Sequence, residues 1–358
     1  MHVAFVTVGD TSRRTGGYLY HARVFVGLRE EGIEVEEIVA CGASPAEQEA
    51  EASRLGSSVD LGCFDVLVVD ALARSVCAPH LDRWREALPV LAMVHELPSV
   101  AAATRREAAR EREFEEPLLR ADRLIVVSDH GRSLLQSRGV PARCIRVIPP
   151  GFDRLSPPDA AVKPPFRDDV PVSVLCVAQW IPRKGILELV RAWTAHERSG
   201  AMLELIGETD ADSVYAASVH AAIAGSSGSS IIVRGPVDDA TLGAAYASAD
   251  LLALPSRYEG YGIVYAEALA YGLPIIGCDV GPVPELVGRE AALLIPPGDA
   301  GALSAALDLL LGDADLRERM STAARRRAEH LPRWEDTVAA FRGVLEEVLT
   351  SRSTYRSP

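Results

Sequence analysis

Two glutamates with seven residues between them, Glu259 and Glu267, mark the stretch of this chain best suited to chemistry. They lie in Pro255-Ser-Arg-Tyr-Glu259-Gly-Tyr-Gly262-Ile-Val-Tyr-Ala-Glu267-Ala-Leu-Ala-Tyr-Gly272-Leu-Pro274. The apolar run 251–254 precedes this stretch, which therefore opens at the carboxyl end of an expected strand, where open α/β sheets bind ligands. Gly260 and Gly262 allow close approach to the backbone and flank the start of a helix expected over 262–271. The free N–H groups and partial positive charge of such a helix end suit a diphosphate. Glu259 lies in the loop, and Glu267 lies just over a turn inside the helix, leaning back toward its start. Both carboxylates then address one ligand, and a carboxylate accepting two hydrogen bonds suits a sugar or ribose diol. Glu267 sits among Tyr265, Ala266, Ala268 and Leu269, and a lone carboxylate in such surroundings needs a partner.

Short apolar runs alternate with helical patterns and must position these residues. The first half has runs at 3–8, 33–39, 66–69, 90–94, 124–127 and 145–148, with amphipathic stretches at 18–31 and 101–120. Residues 154–171, RLSPPDAAVKPPFRDDVP, hold five prolines and no period, as a linker does. The alternation restarts at 172–177, 202–206, 231–233, 251–254, 275–278 and 293–295. Helices are expected near 185–197, 213–224, 239–249, 262–271, 301–311, 314–330 and 334–350. Continuous Val- and Ile-rich strands predict parallel sheets covered on both faces. The class is thus α/β with two Rossmann-like, doubly wound halves. The expected domains are 1–155 and 172–333, joined by the proline-rich linker 156–171.

The form E-G-Y-G-x-x-x-x-E-A-L-A-x-G-L-P resembles the signature of the retaining glycosyltransferases of family four, and the resemblance covers nearly the whole chain. It implies the GT-B fold, with the two domains facing a central cleft and the helix 334–350 packing back on the first domain. It implies that Glu259 contacts a donor sugar and Glu267 a ribose. In Ala178-Gln179-Trp180-Ile181-Pro182-Arg183-Lys184-Gly185, Lys184 matches the family's diphosphate-binding lysine. The family's arginine is Gln179 here, and Arg183 either compensates or points to solvent. The resemblance also brings in a glycine-rich loop at Gly16 and Gly17 and a histidine, His95, near donor sugar and acceptor. Arg234-Gly235-Pro-Val237 matches the stretch whose backbone reads the base. The implied catalytic set is Glu259, Lys184, Arg183 and His95. The implied donor-binding set is Gly16, Gly17, Gln179, Val237, Gly260, Tyr261, Gly262, Ile263 and Glu267. Departures occur at Gln179 and at Pro150, where the family has Asn.

The expected activity is therefore metal-independent transfer of a hexosyl group, with retention, from a nucleotide-diphosphate sugar to an acceptor hydroxyl. No cofactor is expected beyond that co-substrate. A small molecule or an envelope precursor is the expected acceptor. The alternatives are a nucleotide-sugar epimerase, a phosphorylase, or a sugar-nucleotide-binding subunit without turnover. Asp210-Ala-Asp212 and Asp313-Ala-Asp315 resemble the metal triplets of another glycosyltransferase fold, but their settings read as turns or helix caps.

Among 358 residues there are 50 acidic and 37 basic ones, a net charge of −13, which disfavours nucleic acid as a partner. The Arg runs 105–106 and 325–327 read as solvated helix faces. No signal peptide is expected at the start, and no apolar run reaches the ~18 residues of a membrane span. Six scattered cysteines suit a cytoplasmic location, and those at 63, 176 and 278 read as core residues.

Overall fold

The computed structural model describes residues 1–41, 45–102, 104–155, 171–196, 198, 200–225 and 230–356. The chain forms two compact units, Met1–Pro150 with Trp334–Pro358, and Gly151–Arg333. Apart from Pro171, the expected linker lies outside the described residues.

The first unit holds β1 (His2–Val8), β2 (Glu34–Ala40), β3 (Val66–Asp70), β4 (Val90–Val94), β5 (Arg123–Val126) and β6 (Ile145–Val147). All pair in parallel, in the order β2-β1-β3-β4-β5-β6. Every residue of β3 and β4 is buried, which explains their unbroken apolar runs. The edge strand β2 instead carries Glu34, Glu36 and Glu37, charges that discourage further strand pairing. Helix Trp334–Arg356 completes this unit. Its Trp334 ring packs 5.9 Å from Tyr20, Thr337 donates to the Pro149 carbonyl, and Glu347 accepts from Arg123 and Arg146.

Helix Gly16–Glu30 touches that last helix through Gly27, where a Cβ would come within 2.5 Å of the Val338 side chain. A helix-interior glycine replaced by alanine ordinarily gains about 1 kcal/mol. Here overpacking against a buried β-branched side chain outweighs that gain. Gly27→Ala is expected to lower stability by about 1–2 kcal/mol, read as a lower urea midpoint with unchanged slope.

The second unit holds β7 (Val172–Val177), β8 (Ala201–Ile206), β9 (Ile231–Gly235), β10 (Leu251–Leu254), β11 (Ile275–Cys278) and β12 (Ala292–Ile295). These too are parallel, ordered β12-β11-β10-β7-β8-β9. Chain order reverses between β7 and β10 here, and between β1 and β3 in the first unit. At such switch points neighbouring loops diverge and leave a crevice at the strands' carboxyl ends.

Asp212 caps helix Ser213–Ala224, accepting from the N–H groups of Val214 and Tyr215, and Asp313 caps helix Ala314–Ala328. The structure departs from expectation at two surface positions. Cys63 is exposed in a tight turn rather than in the core, whereas Cys176 and Cys278 are buried. Arg327 is half-buried rather than fully solvated: it donates to the Leu286 and Glu285 carbonyls. Among the described residues, no helix is long and apolar enough to cross a membrane.

Candidate active site

The loops leaving β7 and β10 carry the second unit's candidate residues. After β7 the chain makes one tight turn, Pro182–Lys184, and enters helix Ile186–Thr194 through Gly185 at φ +71°. A Cβ on Gly185 would collide with the Pro255 carbonyl, so both the left-handed backbone and the close approach demand glycine. The Arg257 N–H donates to the Arg183 carbonyl at 2.7 Å, fastening the two loops together.

This contact sets Lys184 on Glu259. Lys184 Nζ donates to Glu259 Oε1 at 2.6 Å, and Arg183 Nη1 stands 4.0 Å from Oε2. Arg183 also donates to the Tyr258 carbonyl, so it faces the glutamate rather than open solvent. Glu259 is only 4% exposed. Burial pushes its carboxyl up, but Lys184 and Arg183 outweigh burial and hold it below the ordinary carboxylate value. Gln179 donates to Glu208 at 2.7 Å, so the position where the family carries a cation is tied to a carboxylate.

Helix Ile263–Ala270 starts at Gly262, which takes φ +99° and leaves no room for a Cβ beside Tyr265. No side chain caps this helix start. Gly260, Tyr261 and Ile263 are half-buried around it, and Val237 is half-buried just beyond β9.

Glu267 is 2% exposed and has the partners its surroundings require. Oε1 accepts from Arg154 Nε and Nη2 at 2.9 and 2.7 Å, and Oε2 accepts from the Tyr246 hydroxyl at 3.0 Å. Arg154 also donates to Asp239 at 2.7 Å. Burial pushes the Glu267 carboxyl up, and Arg154 and Tyr246 offset only part of that. A carboxylate has about four acceptor positions, and three are taken, leaving one for a ligand. Arg154 and Tyr246 were absent from the sequence-derived set. The buried carboxylate signalled that a partner existed, but not which of the chain's many arginines supplied it.

In the first unit, Gly16 and Gly17 open helix Gly16–Glu30, and His95 follows β4. A Cβ on Gly17 would touch His95 at 3.5 Å, so loop and histidine meet. His95 Nε2 lies 2.7 Å from His21 Nε2. Burial pushes both imidazoles down to about 3, so both are neutral near pH 7. The candidate residues thus form three groups. Glu259 joins Lys184 and Arg183, Glu267 joins Arg154 and Tyr246, and Gly17 joins His95.

Two family models match the chain: Glycosyltransferase Family 4 over residues 50–154, and Glycosyl transferases group 1 over residues 161–327. A curated relative from Mycolicibacterium hassiacum, MMP alpha-(1->4)-mannosyltransferase, is 36% identical over 115 residues, 32% of this chain and 28% of the relative. A second, from Mycolicibacterium smegmatis, is a GDP-mannose-dependent alpha-(1-6)-phosphatidylinositol monomannoside mannosyltransferase. It is 31% identical over 262 residues, 66% of this chain and 64% of the relative. The matches thus span less than two thirds of either relative. Sucrose-phosphate synthase from Thermosynechococcus elongatus has a similar solved structure, with TM-score 0.81 and 22% identity over 98% of this chain and 99% of that one. The two six-stranded parallel sheets, the paired glutamates in the loop and helix after β10, and the two matching family models together identify the chain as a member of glycosyltransferase family 4, group 1, with the GT-B fold.

Proposed function

We propose that the chain transfers a hexosyl group, with retention, from a nucleotide-diphosphate sugar to an acceptor hydroxyl, without a metal ion. The buried Lys184–Glu259 pair at the β7/β10 switch point carries this reading. Breaking a glycosidic bond builds negative charge on the departing diphosphate, and Lys184, Arg183 and the uncapped helix start at Gly262–Ile263 supply fixed positive potential for it. Tyr261 walls this helix start, and in the first unit, taken by itself, Gly16 and Gly17 leave backbone open beside His95. Glu267 uses its one remaining acceptor position for a ribose hydroxyl, with Val237 beside the base. The acceptor hydroxyl attacks on the face the diphosphate leaves, and a diphosphate oxygen takes its proton, so positioning and electrostatics provide most of the rate.

The mannosyl relatives favour GDP-mannose as donor, and the acceptor class is a small molecule or an envelope precursor. A thermal-shift panel of GDP, UDP, dTDP and ADP, alone and as sugar conjugates, with and without Mg²⁺, tests the donor. A ligand at 100 times its Kd adds about 2.7 kcal/mol of stability, ample to detect. The expected result is a shift with GDP and GDP-mannose that Mg²⁺ does not change. A flat response to every nucleotide would remove the donor reading. A new nucleotide sugar formed from donor alone would show an epimerase instead.

A further inference from the structure

At the first unit's switch point three side chains from three elements line up. Asp70 ends β3, His21 lies on helix Gly16–Glu30, and His95 follows β4. Asp70 is 0% exposed and His21 4%. Both Asp70 oxygens accept from fixed donors: Thr7 Oγ1 reaches Oδ2 at 2.7 Å, and the Leu72 N–H reaches Oδ1 at 3.0 Å. His21 Nδ1 is buried with no hydrogen-bond partner and faces Asp70 Oδ2 across 3.8 Å. Its Nε2 meets His95 Nε2 at 2.7 Å, a distance that requires one proton between the two nitrogens. Phe5, Phe25, Tyr20 and Tyr18 pack around the His21 ring.

Two proton arrangements satisfy the 2.7 Å contact. If His21 carries its proton on Nε2, its Nδ1 lone pair faces a carboxylate oxygen in an apolar pocket, which is repulsive. If His21 carries it on Nδ1, the N–H dipole points at the carboxylate, and Nε2 accepts from His95. The second arrangement wins on electrostatics. It fixes His95 as the Nε2–H tautomer, with a lone pair on Nδ1, an atom that has no partner among the described residues. A single cation bound by all three residues fits less well. The His21 nitrogen facing Asp70 is not the one facing His95, and the direct Nε2–Nε2 contact fills the space between the imidazoles.

We propose that Asp70 and His21 are positioning residues that lock His95 in one tautomer, so that His95 Nδ1 accepts a hydrogen bond from a sugar hydroxyl of the substrate. This rests on the glycosyl-transfer reading for the substrate, but not for the tautomers. Asp70→Asn reverses the chain. The Leu72 N–H can only donate, so the asparagine oxygen must take that side and its NH₂ the other. Thr7 can rotate to accept, and His21 Nδ1 then faces a donor and loses its proton to Nε2. His95 in turn becomes Nδ1–H and can no longer accept there.

The test is long-range ¹H–¹⁵N NMR on the full chain with ¹⁵N-labelled histidine, each ring assigned by a single His→Gln replacement. Wild type at pH 7 is expected to show His21 as Nδ1–H and His95 as Nε2–H, both neutral. In Asp70→Asn both are expected to invert. With the donor fixed by the thermal-shift panel, kcat/KM is expected to fall about 10- to 100-fold. The affinity for the nucleotide alone is expected to stay within about twofold, because its candidate contacts at Lys184, Arg183, Glu259 and Glu267 belong to the other unit. Wild-type His21 in the Nε2–H form overturns the proposal, and this reading needs neither Asp70→Asn nor an active enzyme. So does a change in the wild-type ring signals on adding Zn²⁺, and so does inversion in Asp70→Asn without loss of kcat/KM. If wild type shows the expected tautomers but no donor turns over, the glycosyl-transfer reading fails and the proton order stands alone.

Discussion

Lys184→Ala is expected to lower kcat/KM by about 100- to 1,000-fold, the usual cost of removing one preorganised group from a developing oxyanion. It is also expected to destabilise the fold, because Glu259 would keep its burial and lose its principal counter-charge. Lys184 is 16% exposed and Glu259 6% at the side chain, so solvent screens this pair little. Removing one partner of a buried pair costs about 3–5 kcal/mol. Arg183 remains 4.0 Å from the carboxylate and keeps the cost toward the lower end. A double variant, Lys184→Met with Glu259→Gln, removes both charges and is expected to recover most of the stability but none of the rate. Urea unfolding and steady-state kinetics on the same samples separate the two effects. Recovery of the rate together with the stability in the double variant would show that the pair serves the fold alone.

Glu267→Ala carries the second large effect. Its carboxylate joins Arg154, Tyr246 and, through Arg154, Asp239 into one network. The substitution leaves Arg154 buried with Asp239 as its remaining acidic partner among the described residues, and it empties the space beside the Tyr246 hydroxyl. A stability loss of about 3 kcal/mol is expected, as for other broken buried pairs. Nucleotide affinity is expected to fall by about 10- to 100-fold, since one hydrogen bond to a charged acceptor contributes about 1.5–3 kcal/mol. Arg154→Ala is expected to have a comparable effect on stability. The double variant is expected to cost less than the sum, because the residues share one network. Isothermal titration with the nucleoside diphosphate checks the binding arm. Unchanged affinity in Glu267→Ala would move the ribose away from this helix.

The sequence by itself determined the two sheets and the loop on which the chemistry sits. Central strands of a parallel sheet are buried on both faces, so they appear as continuous Val- and Ile-rich runs, and the twelve strands of the described residues each overlap a run read from the sequence, the edge strand β2 with glutamates interleaved. The local code is equally strong at Gly262 and Gly185, because a left-handed backbone excludes most other residues. It also placed Glu259 before the helix and Glu267 inside it.

Tertiary structure decided which residues those glutamates meet. Lys184 and Glu259 are 75 positions apart, and Arg154 and Glu267 are 113 apart. No periodicity encodes such pairings, which follow from strand order, with β7 beside β10 and both loops leaving the same sheet end. The line of Asp70, His21 and His95 was hidden for the same reason. Asp70 closes an apolar strand and His21 lies within an aromatic stretch of helix, so each alone looks like an isolated polar residue in a core. Only the order β2-β1-β3-β4 brings the ends of β3 and β4 beside the helix that follows β1, and burial there removes the water that would otherwise blur the direction of a proton.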